Sequence, residues 1–343
     1  MEKKRTIYTI AEELNLAPGT ISKVLNKTGN VSDATRERVL AHIKKVGYVP
    51  ASSARMLKSK RTYTVGIIFT EESNVGLEHS FFSSILQNFK TYVEREGYEL
   101  SFIVQKLGQN TMTYREWCLN KRVDGVYIVV GNYNDAGLID LVKSKMFPCV
   151  STDMFLPGLH TVVSDNDAGI RTTLEYVKNE LKKEKVGLIC GPLSSKAFNE
   201  RLLAYRKYMK EFGFVLREED IAFAESFGFT SGYRAVNDLL NRGAERPEVL
   251  VVASDDIALG VLKALADRNL RVPEDIQVIG FDDIAFARHF TPSLTTIAQD
   301  RKLLGETAAK RLIGLIENPD LPLEEVVRLP VQLLRRESTR SAL

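Results

Sequence analysis

Cysteine and histidine are scarce in this 343-residue chain, at three and four residues, and tryptophan occurs once. Cys118, Cys149 and Cys190 are widely separated and odd in number, which fits neither a disulfide framework nor a zinc site. They read as buried, reduced thiols, and no metal is expected. No run of about 18 apolar residues occurs, so no membrane span is expected. The opening Met1-Glu-Lys-Lys-Arg5 leads into polar helical sequence rather than the apolar core of a signal peptide, and a cytoplasmic location is the expectation. A Gly-x-Gly-x-x-Gly turn and a phosphate-binding loop are both missing after every apolar run, and no nucleophile stands near a base. These absences argue against an enzyme, and no cofactor is expected.

Charge is present but unevenly spread. The first 62 residues carry 13 Lys and Arg against 5 Asp and Glu, a net +8. The chain totals are 47 and 44, so the remainder is −5. A basic head on an acidic body points to a polyanionic partner for the head alone. A chain of this length, 44% hydrophobic, suggests two or three domains.

The head carries a specific pattern. Thr9-Ile-Ala-Glu-Glu-Leu14 predicts a helix capped by Thr9, with Glu12 completing a capping box and Ile10, Ala11 and Leu14 facing inward. A break at Asn15 to Ala17 precedes Pro18, which suits a first helical position because its missing N–H has no partner there anyway. Ile21, Val24 and Leu25 then share one face, which leaves Gly19, Thr20, Lys23 and Asn26 for a partner. A third helix is predicted from the cap Ser32 to Val46, with Val39, Leu40, Ile43 and Val46 apolar and Gly47 as the stop. Two short helices joined tightly, the second small, polar and cationic on its free side, form a helix-turn-helix that suits the major groove.

A polar, basic connector follows, and from Tyr63 the pattern changes to short apolar strands alternating with amphipathic helices. Strands are predicted at 64–69, 98–104, 123–130, 148–151, 185–190, 249–253 and 276–281, with a late return at 295–297 and 326–334. Such alternation means parallel sheets covered on both faces, here as two doubly wound lobes with their strand ends around a shared cleft. The expected division is a headpiece over 1–49, a linker over 50–62 and a body over 63–343. Within the body, the first lobe is expected to take about 63–163 and 292–300, and the second about 164–291 and 301–340.

Several ordered motifs make the chain resemble the lactose-repressor (LacI/GalR) family of transcriptional regulators. They are Thr20-Ile-Ser-Lys-Val-Leu-Asn26, Val31-Ser-Asp-Ala-Thr-Arg36, Gly47-Tyr-Val-Pro50, Ala54-Arg-Met-Leu57, Arg201-Leu-Leu-Ala-Tyr205, Ser231-Gly-Tyr-Arg-Ala235, Ile279-Gly-Phe-Asp-Asp283 and Pro292-Ser-Leu-Thr-Thr-Ile297. The resemblance implies an all-α headpiece on a periplasmic-binding-protein-like α/β body. It also implies a homodimer on a roughly palindromic operator, controlled by a small molecule. Pro18, Gly19 and Lys23 match the base-reading positions, and Lys23 stands where Arg is usual, so the rigid bidentate fork for guanine is absent. Ala17 replaces the usual capping Ser, a change worth about 1 kcal/mol. Tyr8, Thr20, Ser22, Asn26, Ser32 and Thr35 match positions used for phosphate and sugar contacts, although Ser32 and Asn26 read equally well as helix caps. In the connector, Ala54, Leu57 and Lys58 match a hinge helix whose leucine wedges between base pairs in the minor groove, while packing of Met56 and Leu57 on the headpiece is the other reading.

For the cleft, the resemblance assigns effector contacts to Arg201, Phe227, Asp255 and Asp282, with Phe81 and Phe82 as a further aromatic wall of which at least one is helix core. Asp165 is assigned to the same site or to a helix cap, and Ser254 stands where Asn is common. Residues 71–80 lengthen the loop after the first strand, either reshaping the site or adding only surface. Carboxylates and a guanidinium suit hydroxyls, and an aromatic face suits a sugar ring or a purine. A sugar or sugar derivative is the expected effector, with a purine, a nucleoside or a phosphoprotein coregulator as the alternative. The C-terminal stretch lacks leucine heptads, so dimers rather than tetramers are expected.

Overall fold

The computed structural model describes residues 6–25, 28–48, 61–69, 76–130, 134–152, 154–242 and 245–341. The chain divides into two compact units, one ending at Tyr63 and one beginning at Thr64.

The first unit holds three helices, α1 (Ile7–Leu14), α2 (Pro18–Leu25) and α3 (Asp33–Val46), around buried Ile10, Ala11, Ile21, Val24 and Val39. Helix α1 begins earlier than expected. Its cap is Thr6, which accepts from the Thr9 N–H at 3.3 Å, while the Thr9 hydroxyl accepts from the Thr6 N–H at 2.8 Å. Thr9 therefore supplies the return half of the capping box in place of Glu12. Asn15, in the left-handed region at φ 50°, ends α1, and Pro18 opens α2. Ser32 caps α3 and Gly47, at φ 63°, stops it. Leu40 is a second correction: it is 47% exposed, because the inward stripe at helical spacing runs through Val39, Ile43 and Val46 and turns position 40 outward. Arg38 donates to the Leu14 carbonyl at 2.6 Å and His42 lies 2.6 Å from Glu13, tying α3 to α1.

The second unit contains two six-stranded sheets. The first takes β1 (Thr64–Phe69), β2 (Glu99–Phe102), β5 (Gly125–Val130), β6 (Cys149–Ser151), β7 (His160–Ser164) and β13 (Val326–Leu329) in the order β13-β7-β6-β5-β1-β2, all parallel. The second takes β8 (Val186–Cys190), β9 (Ile221–Phe223), β10 (Val249–Val252), β11 (Gln277–Asp282), β12 (Thr295–Gln299) and β14 (Val331–Leu334) in the order β14-β12-β11-β10-β8-β9. Only its edge strand β14 runs antiparallel. A hairpin of β3 (Lys106–Leu107) and β4 (Asn110–Thr111) stands apart. Strands β7 and β9 add to the strands expected. Helices α4 (Ser80–Arg95), α5 (Tyr114–Lys121) and α6 (Ala136–Ser144) follow strands of the first lobe. Helices α7 (Asn166–Tyr176), α8 (Lys196–Glu211), α9 (Phe229–Asn241) and α10 (Asp255–Asp267) belong to the second.

The late return is the reverse of the expected division. Strand β12 pairs with β11 in the second lobe, Ile279 opposite Thr295, rather than joining the first. Helix α11 (Arg301–Glu317) then packs on the first lobe rather than the second. A Cβ on Gly305 would come within 2.5 Å of the Ile85 carbonyl oxygen of α4, and one on Gly125 of β5 within 2.8 Å of Ile316. Strand β13 stays in the first sheet and β14 returns to the second. Apolar runs identify these strands, but sheet membership depends on which neighbour each can approach closely, as Gly305 and Gly125 show.

Among the described residues no helix is long and apolar enough to cross a membrane, and no group of three or more His, Cys, Asp or Glu is placed to hold a metal ion. Cys118, Cys149 and Cys190 are buried and free, and burial pushes the Cys118 and Cys190 thiols up to about 12, which leaves them inert near neutral pH.

Candidate functional site

In the first unit, α2 sits on Ile21 and Val24 and turns Pro18, Gly19 and Lys23 to solvent. Around Gly19 there is open space: a Cβ there would meet nothing within 4 Å. The Lys23 stem runs over the turn at Gly29, where a Cβ would stand 3.3 Å from it, and this props the ammonium on its flexible stalk. Thr20 and Ser22 are half-buried at the sides of this face, and Tyr8 of α1 is 70% exposed. The structure shows Ser32 as a cap: its hydroxyl accepts from the Thr35 N–H at 3.3 Å and meets the Thr35 hydroxyl at 2.8 Å. Asn26, Ala54, Leu57 and Lys58 lie outside the described residues.

In the second unit, the strand ends of the two lobes bring a polar cluster and an aromatic cluster together. Arg201 of α8 is 4% exposed and its guanidinium lies over the Phe281 ring, 3.7 Å from the centroid. Its Nε donates to Asn166 Oδ1 at 2.8 Å, and its Nη1 donates to the Ala253 carbonyl and stands 3.7 Å from Asp282 Oδ1. Asp282 ends β11 at φ 129°, and Gln299 of β12 donates to it at 2.5 Å. Burial drives the Asp282 carboxyl well above the usual range, and the Arg201 charge opposes that shift. Asn166 also donates to Glu200, which forms a two-bond pair at 2.9 and 3.1 Å with Arg328 of β13 in the other lobe. One line of polar contacts thus runs from the first lobe to Arg201.

Asp255 is brought close but stands behind this pair. It is fully buried, accepts from the Thr296 hydroxyl at 2.7 Å and from the Ile284 N–H at 3.0 Å, and would touch a Cβ on Gly280. Both oxygens brace α10 against β12 and the segment after β11. Burial raises its pKa to about 7. Asp165 caps α7, accepting from the Ala168 N–H at 3.0 Å. Ser254 likewise caps α10.

The aromatic residues converge on one another. Phe82 is buried in α4, while Phe81 is half-buried and packs on the second lobe's core. Phe82 and Phe227 meet edge to face across the lobes at 6.3 Å, and Phe198 stands 5.2 Å from Phe227. His79 joins them, 4.9 Å from Phe82 and 6.2 Å from Phe227. Gln299, Phe198 and Asp256 went unnoticed in the sequence. Asn166 follows Asp165 directly, but Gln299 and Phe198 carry no local signal and depend on strand and helix register.

Comparison with known proteins decides the family. Residues 6–51 match the family described as bacterial regulatory proteins, lacI family, and residues 179–339 match a periplasmic binding protein-like domain. The HTH-type transcriptional repressor PurR of Haemophilus influenzae (strain ATCC 51907 / DSM 11121 / KW20 / Rd) is 31% identical over 98% of this chain and 99% of its own. The chain belongs to the lacI family. This LacI-family regulator also superimposes on a lac repressor dimer bound to operator and the anti-inducer ONPF, with a TM-score of 0.83, 28% identity and coverage of 98% and 99%. A complex of the transcriptional regulator CelR with cellobiose gives 0.71, 27%, 97% and 99%. The LacI-family chain is accordingly a DNA-binding transcriptional repressor and not an enzyme, with a helix-turn-helix ahead of a two-lobed α/β body.

Proposed function

We propose that the protein represses transcription as a homodimer on a palindromic operator and that a sugar-like effector held between the two lobes of the body controls its affinity for DNA. The observation that carries the effector reading is the buried Arg201–Asp282 pair, held by Asn166 and Gln299 beside the Phe82–Phe227–Phe198 rings. A guanidinium beside a carboxylate presents donors and an acceptor to adjacent hydroxyls, and ring faces suit the apolar side of a pyranose. The solved relative that carries cellobiose supports a sugar, whereas the number of rings keeps a purine or nucleoside as the second reading.

In the headpiece, Lys23 reads bases with Pro18 and Gly19 beside it, and Tyr8, Thr20, Ser22, Asn26, Ser32 and Thr35 hold the sugar–phosphate backbone. The connector over 50–62 is assigned from sequence resemblance alone, with Leu57 as the minor-groove wedge and Ala54 and Lys58 alongside. Effector binding shifts the body between two arrangements of its lobes, with a coupling of about 1–3 kcal/mol to DNA binding. A thermal-shift and tryptophan-fluorescence screen over sugars, sugar phosphates, purines and nucleosides tests the reading, followed by operator titration with and without the hit. A saturable sugar that changes operator affinity in wild-type protein but not in Arg201→Lys supports it. Binding confined to purines transfers it to the second reading.

A further inference from the structure

Where the first lobe meets the second, a few buried polar atoms lack good hydrogen bonds. His79 immediately precedes α4, and Asp256 is the second residue of α10; His79 Nε2 and Asp256 Oδ2 approach to 3.5 Å without forming a hydrogen bond. Both ring nitrogens of His79, the Ser80 hydroxyl and Asp256 Oδ2 are buried and reach no partner at full hydrogen-bonding geometry, and the Asp256 carboxyl is eased only by the nearby His79 ring and Ser80 hydroxyl. Buried polar atoms in folded proteins are almost always well paired, so four left short of that together, drawn from two lobes, form a place built to receive something. The His79 ring touches Phe82 and Phe227, so this group adjoins the same aromatic band that leads through Phe198 to Arg201.

The chemistry of the group narrows what it receives. An imidazole offers one donor and one acceptor, the Ser80 hydroxyl both, and the carboxylate acceptors only. Burial disfavours charge here, lowering the His79 pKa and raising that of Asp256. A hydroxyl donates to the carboxylate while accepting from the imidazole. A phosphate would bring a full charge into a place where burial disfavours charge.

We propose that His79, Ser80 and Asp256 form a second polar pole of the effector site, one that closes on a hydroxyl of a neutral sugar whose other end meets Arg201 and Asp282. The proposal rests on the reading that the effector binds between the lobes. It adds three residues to the site and excludes an anionic group at this end of the ligand.

Calorimetric titration of the full chain with glucose, galactose, ribose, cellobiose and glucose 6-phosphate tests it, using His79→Ala, Asp256→Asn and Arg201→Lys. The expected result is that at least one neutral sugar binds and that His79→Ala and Asp256→Asn each weaken it about tenfold or more, since a hydrogen bond to a buried group is lost. Without sugar, Asp256→Asn should melt close to wild type, whereas His79→Ala should melt lower because it also removes the ring packed on Phe82 and Phe227. Binding lost in Arg201→Lys but unchanged in both His79→Ala and Asp256→Asn overturns the second pole and leaves the cleft reading standing. Binding unchanged in all three variants overturns both. Glucose 6-phosphate binding more tightly than glucose, or no sugar binding at all, overturns the neutral-sugar pole.

Discussion

The recognition face of α2 and the cleft of the body recognise their partners by opposite means. Lys23, Gly19 and Pro18 stand in water on a helix that is buried only on its other side. Arg201, Asp282 and Asn166 are buried: Arg201 donates to Asn166 and the Ala253 carbonyl, and Asp282 accepts from Gln299. A long polymer with a charge every few ångströms is held by many exposed, screened contacts, none of them decisive. A small ligand offers few atoms, so the protein must desolvate and orient its own groups beforehand, and each becomes individually costly to lose. Substitutions should therefore act gradually in the head and abruptly in the body.

The most severe break in that contrast is Arg201→Ala. It removes the partner of Asn166 Oδ1 and the Ala253 carbonyl and strips the cation from beside Asp282. A loss of about 3 kcal/mol in urea unfolding is expected, with no ligand response remaining. Lys23→Ala comes next and leaves body stability untouched. Operator affinity should fall by about 1–3 kcal/mol, measured by fluorescence anisotropy across salt concentrations. A base contact predicts loss of discrimination at one half-site position, and a phosphate contact predicts a salt slope reduced by about one. If Lys23→Ala were neutral, the free face of α2 would not be the reading surface.

The two regions also differ in how far the sequence discloses them. Helical periodicity, Pro18 and the Ser32 and Gly47 caps act within a few residues, so the three headpiece helices were visible from local pattern. Even there Thr6 displaced Thr9 as the cap, since either threonine satisfies the motif and only the packed start of α1 decides between them. In the body the strands were legible as apolar runs and Arg201 and Asp282 through family motifs. The lobe membership of α11 was not, because it depends on contacts between distant residues, such as Gly305 with Ile85 and Gly125 with Ile316, and that of β12 was not because nothing local marks β11 as its partner. Asp255 shows the same limit: nothing in its sequence neighbourhood marks Thr296 and Ile284 as the partners of its oxygens.

Asp255 sharpens the comparison through pH. Its folded pKa, about 7, lies above the ordinary carboxyl value of 3.8, so the folded state holds the proton more tightly than the unfolded state does. Stability from this group is fully present below about pH 4 and declines as pH rises towards 7. Asp255→Asn imitates the protonated form, with its carbonyl able to accept from Ile284 and its amide to donate to Thr296. The variant should flatten the fall in melting temperature over that window. An unaltered slope would assign the titration to other groups.

The smallest expected effect lies in the headpiece and tests the packing on which its reading surface rests. Val39 is fully buried and Leu40 is 47% exposed, although both belong to one apolar run of α3. Val39→Ala removes buried methyl groups from the contact with α1 and α2 and should cost about 1–2 kcal/mol in thermal unfolding of the headpiece. Leu40→Gln should stay within about 0.5 kcal/mol, since a good helix former replaces another on a face already in water. Equal losses at the two positions would mean that α3 is rotated. Ile43 and Val46 would then no longer share the stripe that supports α2, and the exposed face assigned to Lys23 would have to be drawn again.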